Sequence, residues 1–382
     1  MSLRAVTWNE QRGTEPMAAP SRDPLQLHRR LPGYRPSPLV PAADLAADIG
    51  LANVFVKDEA ERLGLPSFKI LGASWATYRA LEERRGRPFP EWSTLEELAA
   101  AAEPLRPLTL VAATDGNHGR AVARMARLLG FDAHIFVPAD MVAARIAAIE
   151  GEGAKVTVVD GTYDDAVMRS AEEESQTHLV VSDTSWPGYE RIPRWIIDGY
   201  STIFWEIDEQ LDAMGAPYPD VVLVQIGVGA FAAAAAHHFR RSGAPRRPLL
   251  VGVEPADADC MRASVAAGKV VSQPGPHRSI MAGLNCGTPS IVAWPVVSAA
   301  FDVFFALDDD AARAGMVDLA RAGVVSGESG AAGAGVLRAL AEGPGLQALG
   351  VGAGTTALTV STEGATDPVA YEEIVGAAPR QG

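Results

Sequence analysis

The chain has 382 residues, of which 48% are hydrophobic, and this is enough to bury a sizeable core and to form two domains. Its formal net charge of −14 argues against a nucleic acid or an anionic membrane as a partner. The chain has only two cysteines, so it is not a disulfide scaffold, and no apolar run is long enough to span a bilayer. Because the N-terminus also has no apolar signal-peptide core, the sequence predicts a cytoplasmic protein.

Residues 1–33 are polar, contain prolines and show no periodic pattern, so we predict an irregular arm there. After the arm, short apolar runs alternate with longer helical stretches, which is typical of βαβ units. The predicted strands span residues 54–57, 109–113, 133–137, 155–159, 179–182, 221–226, 249–253 and 356–360. The predicted helices span residues 69–85, 119–129, 164–174, 230–241, 309–322 and 330–341. This order predicts an α/β protein with open, twisted, mostly parallel sheets and helices on both faces.

Two proline-bearing segments, 84–107 and 208–219, are candidate crossings between domains. We therefore predict a large domain and a small domain after the N-terminal arm. The predicted large domain combines residues 34–88 and 208–382, and the predicted small domain is formed by residues 89–207.

Polar or glycine-rich clusters follow five of the predicted strands, at residues 114–118, 183–184, 227–229, 254–255 and 361–364. In open α/β sheets, ligands bind outside the carboxyl ends of the strands. Loops carry such residues in any protein, which is the simpler explanation. The repetition of the pattern nevertheless indicates an enzyme.

Lysine is scarce, and the four lysines are Lys57, Lys69, Lys155 and Lys269. Lys69 stands at the start of a helix made of apolar and small residues. Desolvation by such neighbours lowers the pKa of an amine and makes it a usable nucleophile. The alternative is a lysine at a helix start that extends to solvent.

Gly227, Val228, Gly229 and Ala230 follow a predicted strand and open a helix. Backbone N–H groups at such a position suit a phosphate, and glycines let the main chain approach its oxygens. Ala232 occupies the position of the third glycine of a dinucleotide fingerprint, so that fingerprint is incomplete. Tight packing of the helix on the strand is the alternative explanation.

Three polar side chains near strand ends are candidates for chemistry. Asp115 and Asp183 each follow a strand, where a carboxylate serves either as a helix cap or as a general base. Asn117 can exchange hydrogen bonds with a ring hydroxyl. Ser361 and Thr362 end the last strong strand, either as an ordinary turn or as a neutral hydroxyl facing a pyridine nitrogen.

Together and in this order, these motifs resemble the fold-type II pyridoxal-phosphate enzymes, which include threonine dehydratases and cysteine synthases. The resemblance covers residues 34 to about 370 and begins with the sequence Tyr-Arg-Pro-Ser-Pro-Leu at 34–39. Within this superfamily the chain is similar to the diaminopropionate ammonia-lyase family. That similarity lies in segments 57–69, 113–119, 183–189 and 281–287.

The resemblance implies that pyridoxal 5′-phosphate is held by Lys69 as a Schiff base, and it places the cofactor in the large domain. It assigns the ring hydroxyl to Asn117 and the pyridine nitrogen to Thr362 or, less favoured, Ser361. It assigns the phosphate to Gly227, Val228, Gly229 and Ala230. It makes Asp115 and Asp183 the acid–base or substrate-amine partners. The family also implies a homodimer that acts on a small amino acid. No His or Cys cluster has the spacing of zinc ligands, so the sequence predicts no metal site.

The implied reaction is the α,β-elimination of ammonia from 2,3-diaminopropionate, which yields pyruvate and a second ammonia. Dehydration of serine, threonine or 3-hydroxyaspartate is one alternative, and a β-replacement synthase is another. A binding or regulatory protein on the same fold is a third, against which the intact Lys69 weighs. Cys260 and Cys286, near two of the candidate loops, either pair or remain buried thiols.

Overall fold

The computed structural model describes residues 3–379. The strands are β1 (Leu3–Trp8), β2 (Leu39–Pro41), β3 (Asn53–Asp58), β4 (Thr109–Ala113), β5 (Asp132–Pro138), β6 (Lys155–Val159), β7 (His178–Val180), β8 (Val221–Gln225), β9 (Leu249–Pro255), β10 (Val303–Leu307) and β11 (Thr356–Ser361). The helices are α1 (Asp23–His28), α2 (Ala43–Ile49), α3 (Lys69–Arg85), α4 (Leu95–Ala102), α5 (Asn117–Leu129), α6 (Ala143–Glu150), α7 (Tyr163–Ala171), α8 (Arg191–Met214), α9 (Ala230–Phe239), α10 (Cys260–Ala267), α11 (Trp294–Ala300), α12 (Asp309–Arg321), α13 (Glu328–Ala341), α14 (Gly345–Ala348) and α15 (Pro368–Val375).

The chain divides into two compact units, each made of segments that are distant in sequence. The first unit contains the residues up to 20, residues 36–61 and the residues from 203 onward. The second unit contains residues 21–35 and 62–202. The domain boundaries given above stay a prediction.

The first unit contains a seven-stranded sheet in the order β1-β10-β9-β8-β11-β3-β2. Its five inner strands run parallel, and the two edge strands, β1 and β2, are antiparallel to their neighbours. All residues of β8 and β11 are buried, which explains why both read as continuous apolar runs. Because the strands are parallel, the segments that follow β8 and β11 lie at the same edge of this sheet.

Two helices of the first unit, α12 and α13, are in backbone contact. A Cβ atom added at Gly335 would lie 2.7 Å from the carbonyl carbon of Ala311, and one at Gly315 would lie 2.6 Å from the nitrogen of Gly335. The small residues of α13 therefore allow the two helix backbones to touch. The helix pair also packs against the main apolar core of the first unit.

The second unit contains a four-stranded parallel sheet in the order β6-β5-β4-β7. Because β4 and β7 are neighbours, the segments that begin at Thr114 and Val181 leave the sheet side by side. Helix α7 begins with a capping box, in which Thr162 and Asp165 each accept a hydrogen bond from the other's backbone. The unit thus brings two of the polar clusters to one edge of its sheet.

The predicted α/β class with mostly parallel sheets is confirmed. Each predicted strand is present within about three residues of its expected bounds, and each predicted helix is also present. Strands β1, β2 and β10 were not predicted, and neither was the long helix α8. The candidate crossing at 208–219 is partly helical, because α8 continues to Met214.

The prediction of an irregular arm at residues 1–33 is wrong in two places, because β1 and α1 lie there. The side chains of β1 alternate between half-buried and exposed, but the apolar side chains of Val6 and Trp8 lie on the exposed face, so no apolar period marks the strand. Its pairing with β10, almost 300 residues away, orders it as an edge strand. The strand could not be predicted from the residues around it, because its partner is not among them.

Within residues 3–379, no helix is long and apolar enough to cross a membrane. In the same part of the chain, no group of three or more His, Cys, Asp or Glu side chains is placed to hold a metal ion.

We predict that Gly335→Ala lowers the free energy of unfolding by about 1–3 kcal/mol, because a Cβ atom there meets backbone that cannot move aside. The matched control is Gly352→Ala, since no atom lies within 4 Å of the added Cβ at that position. Urea unfolding followed by circular dichroism measures both changes. Equal unfolding free energies for the two variants would contradict the backbone contact between α12 and α13.

Candidate active site

The structure separates the four lysines by their surroundings. Lys155 and Lys269 are exposed. Lys57, in the first unit, is completely buried, and its Nζ donates to Glu206 Oε2 (2.7 Å), the Ser37 carbonyl (2.7 Å) and Gln210 Oε1 (2.9 Å). These three acceptors use all the hydrogens of the ammonium group, so Lys57 has a structural role.

Lys69 is the first residue of α3 and lies in a polar cluster of the second unit. Its Nζ donates to Asp183 Oδ2 at 2.6 Å, and the Lys69 side chain is 19% exposed. The other oxygen of Asp183 accepts a hydrogen bond from the Tyr163 hydroxyl at 3.2 Å. His118 Nδ1 lies 3.9 Å from Asp183 Oδ2. A single carboxylate thus joins an amine, a phenol and an imidazole.

The pKa of Lys69 is raised above its ordinary value, contrary to the lowered pKa that its apolar sequence neighbours predicted. Burial alone would lower this pKa, but the Asp183 carboxylate outweighs it. Tyr200 and Asp115 act in the same direction as Asp183. The sequence-based prediction was wrong because Asp183 lies 114 residues away in the chain. In this state Lys69 is an ammonium ion, so it must release a proton before it can act as a nucleophile.

The pKa of Asp183 is held well below its usual range. Burial alone would raise it, but the ammonium group of Lys69 reverses the effect. The His118 ring is itself anchored, because its Nε2 lies 2.7 Å from the Val181 carbonyl oxygen. Asp183 therefore stays ionised at neutral pH.

The segment that carries Asp183 is fixed by an aromatic side chain. The hydroxyl of Tyr189 accepts a hydrogen bond from the Ser182 backbone at 2.9 Å and donates one to the Val180 carbonyl at 2.8 Å. The ring of Trp186 stacks on that of Tyr189, with 4.2 Å between the centroids and 11° between the planes. The residues on both sides of Asp183 are thereby held in place.

The turn after β4 places Asp115 and Asn117 in the same region. Gly116 adopts a φ of 144°, which side chains of L-residues rarely allow, and its N–H donates to Thr114 Oγ1 at 2.8 Å. Asp115 interacts electrostatically with Lys69, and Asn117 begins α5 two residues later. The structure thus brings together three sequence-predicted residues of the second unit, Lys69, Asp115 and Asp183.

The segment 227–230 forms a cradle in the first unit. Gly229 has a φ of 102°, and a Cβ added there would lie 2.7 Å from Met261 Cε. A Cβ at Gly227 would lie 3.1 Å from the Gly283 carbonyl oxygen. Ala230 begins α9, whose N-terminus has no side-chain cap among the described residues. Space and backbone N–H groups at a helix N-terminus fit a phosphate.

Ser361 and Thr362 lie at the end of β11. This strand is the neighbour of β8, which the cradle follows. Ser361 is fully buried, and its hydroxyl donates to Ser326 Oγ at 2.8 Å. Thr362 is 5% exposed and directly follows the strand. The hydroxyl of Ser361 is therefore already engaged within the first unit.

Cys260 and Cys286 are both buried. The Sγ of Cys286 would lie 3.3 Å from a Cβ at Gly227, so this thiol borders the cradle.

Two tyrosines of the Lys69 cluster were not predicted from the sequence. Tyr163 stands beside the capping box of α7, and Tyr200 lies in the middle of α8. No local pattern marks either residue as functional. A tyrosine inside a long helix normally indicates core packing, and only the fold shows that both face the cluster.

The sequence of the chain is similar to those of known pyridoxal-phosphate dependent enzymes. Residues 30–352 match the model of the pyridoxal-phosphate dependent enzyme family. The chain is 38% identical over 375 residues to diaminopropionate ammonia-lyase of Escherichia coli K12, covering 95% of this chain and 93% of that protein.

Crystal structures of the Escherichia coli diaminopropionate ammonia-lyase have the same fold. The complex with D-serine matches with a TM-score of 0.89 and 35% identity, covering 97% of this chain and 96% of that one. The complex with an aminoacrylate–pyridoxal-phosphate azomethine intermediate matches with a TM-score of 0.88 and 35% identity, covering 98% of this chain and 97% of that one. With the lysine cluster and the glycine cradle both present, the chain belongs to the pyridoxal-phosphate dependent enzymes of fold type II.

Proposed function

We propose that this enzyme removes ammonia from 2,3-diaminopropionate and, with one water, yields pyruvate and a second ammonia. The observation that carries the proposal is the pair of carboxylates, Asp115 and Asp183, that surrounds the Lys69 amine. A substrate with a second ammonium group needs such carboxylates, whereas a hydroxyl-leaving substrate does not. The Escherichia coli relative that is 38% identical over 95% of this chain is a diaminopropionate ammonia-lyase.

The site residues fit pyridoxal 5′-phosphate. Lys69 is the amine that would hold it covalently, and Asn117 would contact its ring hydroxyl. Thr362 would meet the pyridine nitrogen, and it is favoured over Ser361 because the Ser361 hydroxyl already donates to Ser326. The cradle formed by Gly227, Val228, Gly229 and Ala230 would bind the phosphate. When bound, the cofactor supplies an electron sink for the charge that develops at the substrate α-carbon.

The carboxylates control where the protons of the substrate reside. The β-amine must leave as neutral ammonia, so it has to keep its hydrogens until the bond to carbon breaks. Asp183, with its lowered pKa, remains ionised and can hold the β-ammonium in a charge-assisted hydrogen bond. Tyr163 and the anchored Tyr189 segment fix the direction of that carboxylate.

Two groups can accept the α-proton, namely the amine of Lys69 and the carboxylate of Asp115. If they face opposite sides of the α-carbon, the enzyme accepts both enantiomers of the substrate. The related Escherichia coli enzyme has been crystallised with a D-amino acid, which agrees with this proposal. Activity with only one enantiomer, measured with D- and L-diaminopropionate separately, would contradict it.

The family resemblance also supports a homodimer that works in the cytoplasm on free amino acids. These two points rest on the resemblance and are part of the proposal.

We predict that kcat/KM for diaminopropionate exceeds that for serine by at least about 100-fold, because a site with paired carboxylates favours an ammonium over a hydroxyl. Coupled assays of pyruvate and ammonia measure both reactions. Two ammonia molecules per pyruvate are expected with diaminopropionate and one with serine. Equal kcat/KM values would instead favour a hydroxy-amino-acid dehydratase.

Lys69→Ala is expected to lose the absorbance of the covalently held cofactor and at least about 1,000-fold in kcat/KM, because no other lysine is available at the cluster. Lys269→Ala, at an exposed lysine, serves as the matched control. Full turnover by the Lys69→Ala variant would refute the assignment.

Asp183→Asn is expected to change two rates in opposite directions. Loss of the carboxylate lowers the pKa of Lys69, so more neutral amine is present and the cofactor-free chain takes up pyridoxal phosphate faster at pH 7. Turnover should fall by about 100-fold or more, because the β-ammonium loses its partner. Stopped-flow absorbance and steady-state assays separate the two effects.

The control for this experiment is Asp140→Asn, at an exposed position of the second unit. Slower cofactor uptake by Asp183→Asn would show that Asp183 does not hold Lys69 in its protonated form.

A further inference from the structure

Tyr200, on α8, is a fully buried tyrosine next to the reactive lysine. Its ring lies against that of Phe68, the residue before Lys69, with 4.6 Å between the centroids. Lys69 Nζ lies 5.5 Å from the centroid of the same Phe68 ring. Phe68 therefore contacts both the tyrosine ring and the amine.

Tyr200 reaches this position because α3 and α8 pack closely at two glycines. A Cβ at Gly72 would lie 2.5 Å from Tyr200 Cε1, so any larger residue would displace the ring. A Cβ at Gly199 would lie 2.8 Å from the Cα of Gly72, so α3 and α8 are in backbone contact here. Because Gly72 is one helical turn after Lys69, both residues occupy the same face of α3.

The amine and the phenol lie close enough to interact electrostatically. Lys69 and Tyr200 each affect the pKa of the other, and Asp183 and Asp115 face both of them. The remaining groups at Asp183 are His118 and Tyr163. Burial raises the pKa of Tyr200 above its usual value, so the phenol stays neutral at working pH. A neutral phenol can accept a hydrogen bond from an ammonium or donate one to an amine.

We propose that Tyr200 is a positioning residue, whose hydroxyl orients the Lys69 amine whenever the amine is not joined to the cofactor. It accepts a hydrogen bond from the protonated amine and donates one to the neutral amine. The role rests on the proposed function, in which Lys69 is set free during each turnover. An amine held in one orientation is already positioned for the next proton transfer. A mobile amine must first adopt that orientation, which slows the reaction.

The decisive experiment observes the lysine ammonium groups directly. The full-length chain, freed of cofactor and labelled with ¹⁵N-lysine, contains only four such groups. Ammonium hydrogens of Lys155 and Lys269 exchange rapidly with water because both side chains are exposed. Lys57, with three acceptors, provides an internal reference in the same spectrum. The Lys69 signal is assigned by its absence from Lys69→Met.

Tyr200→Phe is expected to accelerate exchange of the Lys69 ammonium hydrogens with water by at least about tenfold, because one hydrogen bond to a charged group is lost. Exchange at Lys57 should not change. In the loaded enzyme, kcat should fall by at least about tenfold with KM within about threefold of the original. Tyr78→Phe, the same change further along α3, should alter neither quantity.

Unchanged Lys69 exchange, or an unchanged kcat, in Tyr200→Phe would overturn the proposal. If Tyr200→Phe does not fold, Gly72→Ala decides instead, because its Cβ displaces the ring while leaving the phenol in the chain. Faster exchange at Lys69 is expected there too, and unchanged exchange would overturn the proposal. The exchange measurement uses neither cofactor nor substrate, so its outcome is independent of whether diaminopropionate is the substrate.

Discussion

The ion pair between Lys69 and Asp183 is the interaction on which the chemistry of this protein depends. It holds Lys69 in a protonated state and keeps the carboxylate ionised. Lys69 is therefore an ammonium ion that must release its proton before the amine can accept one from carbon. In the proposed reaction the ionised carboxylate beside it holds the ammonium group that is expelled.

The two units supply different parts of the chemistry from separate sheets. In the second unit, neighbouring strands β4 and β7 direct Asp115 and Asp183 to one sheet edge. In the first unit, neighbouring strands β8 and β11 do the same for the glycine cradle and Thr362. In each unit, therefore, the candidate site residues follow the carboxyl ends of parallel strands, as expected for open α/β sheets.

Much of this arrangement could be predicted from the sequence, because the buried strands are apolar runs and their polar ends are local in sequence. The glycine cradle and Lys69 were identifiable for the same reason. The raised pKa of Lys69 and the role of Tyr200 could not be predicted, since both depend on contacts between residues more than 100 positions apart. Strand β1 was not predicted because its partner β10 is also distant in the sequence.

The most direct test of the account is to find which lysine carries the cofactor. Borohydride reduction of the purified enzyme converts the bond between lysine and pyridoxal phosphate into a stable secondary amine, which peptide mass spectrometry then locates. The account predicts that the modified peptide contains Lys69 and that the peptides with the other three lysines are unmodified. Modification of Lys57, or of no lysine at all, would contradict it.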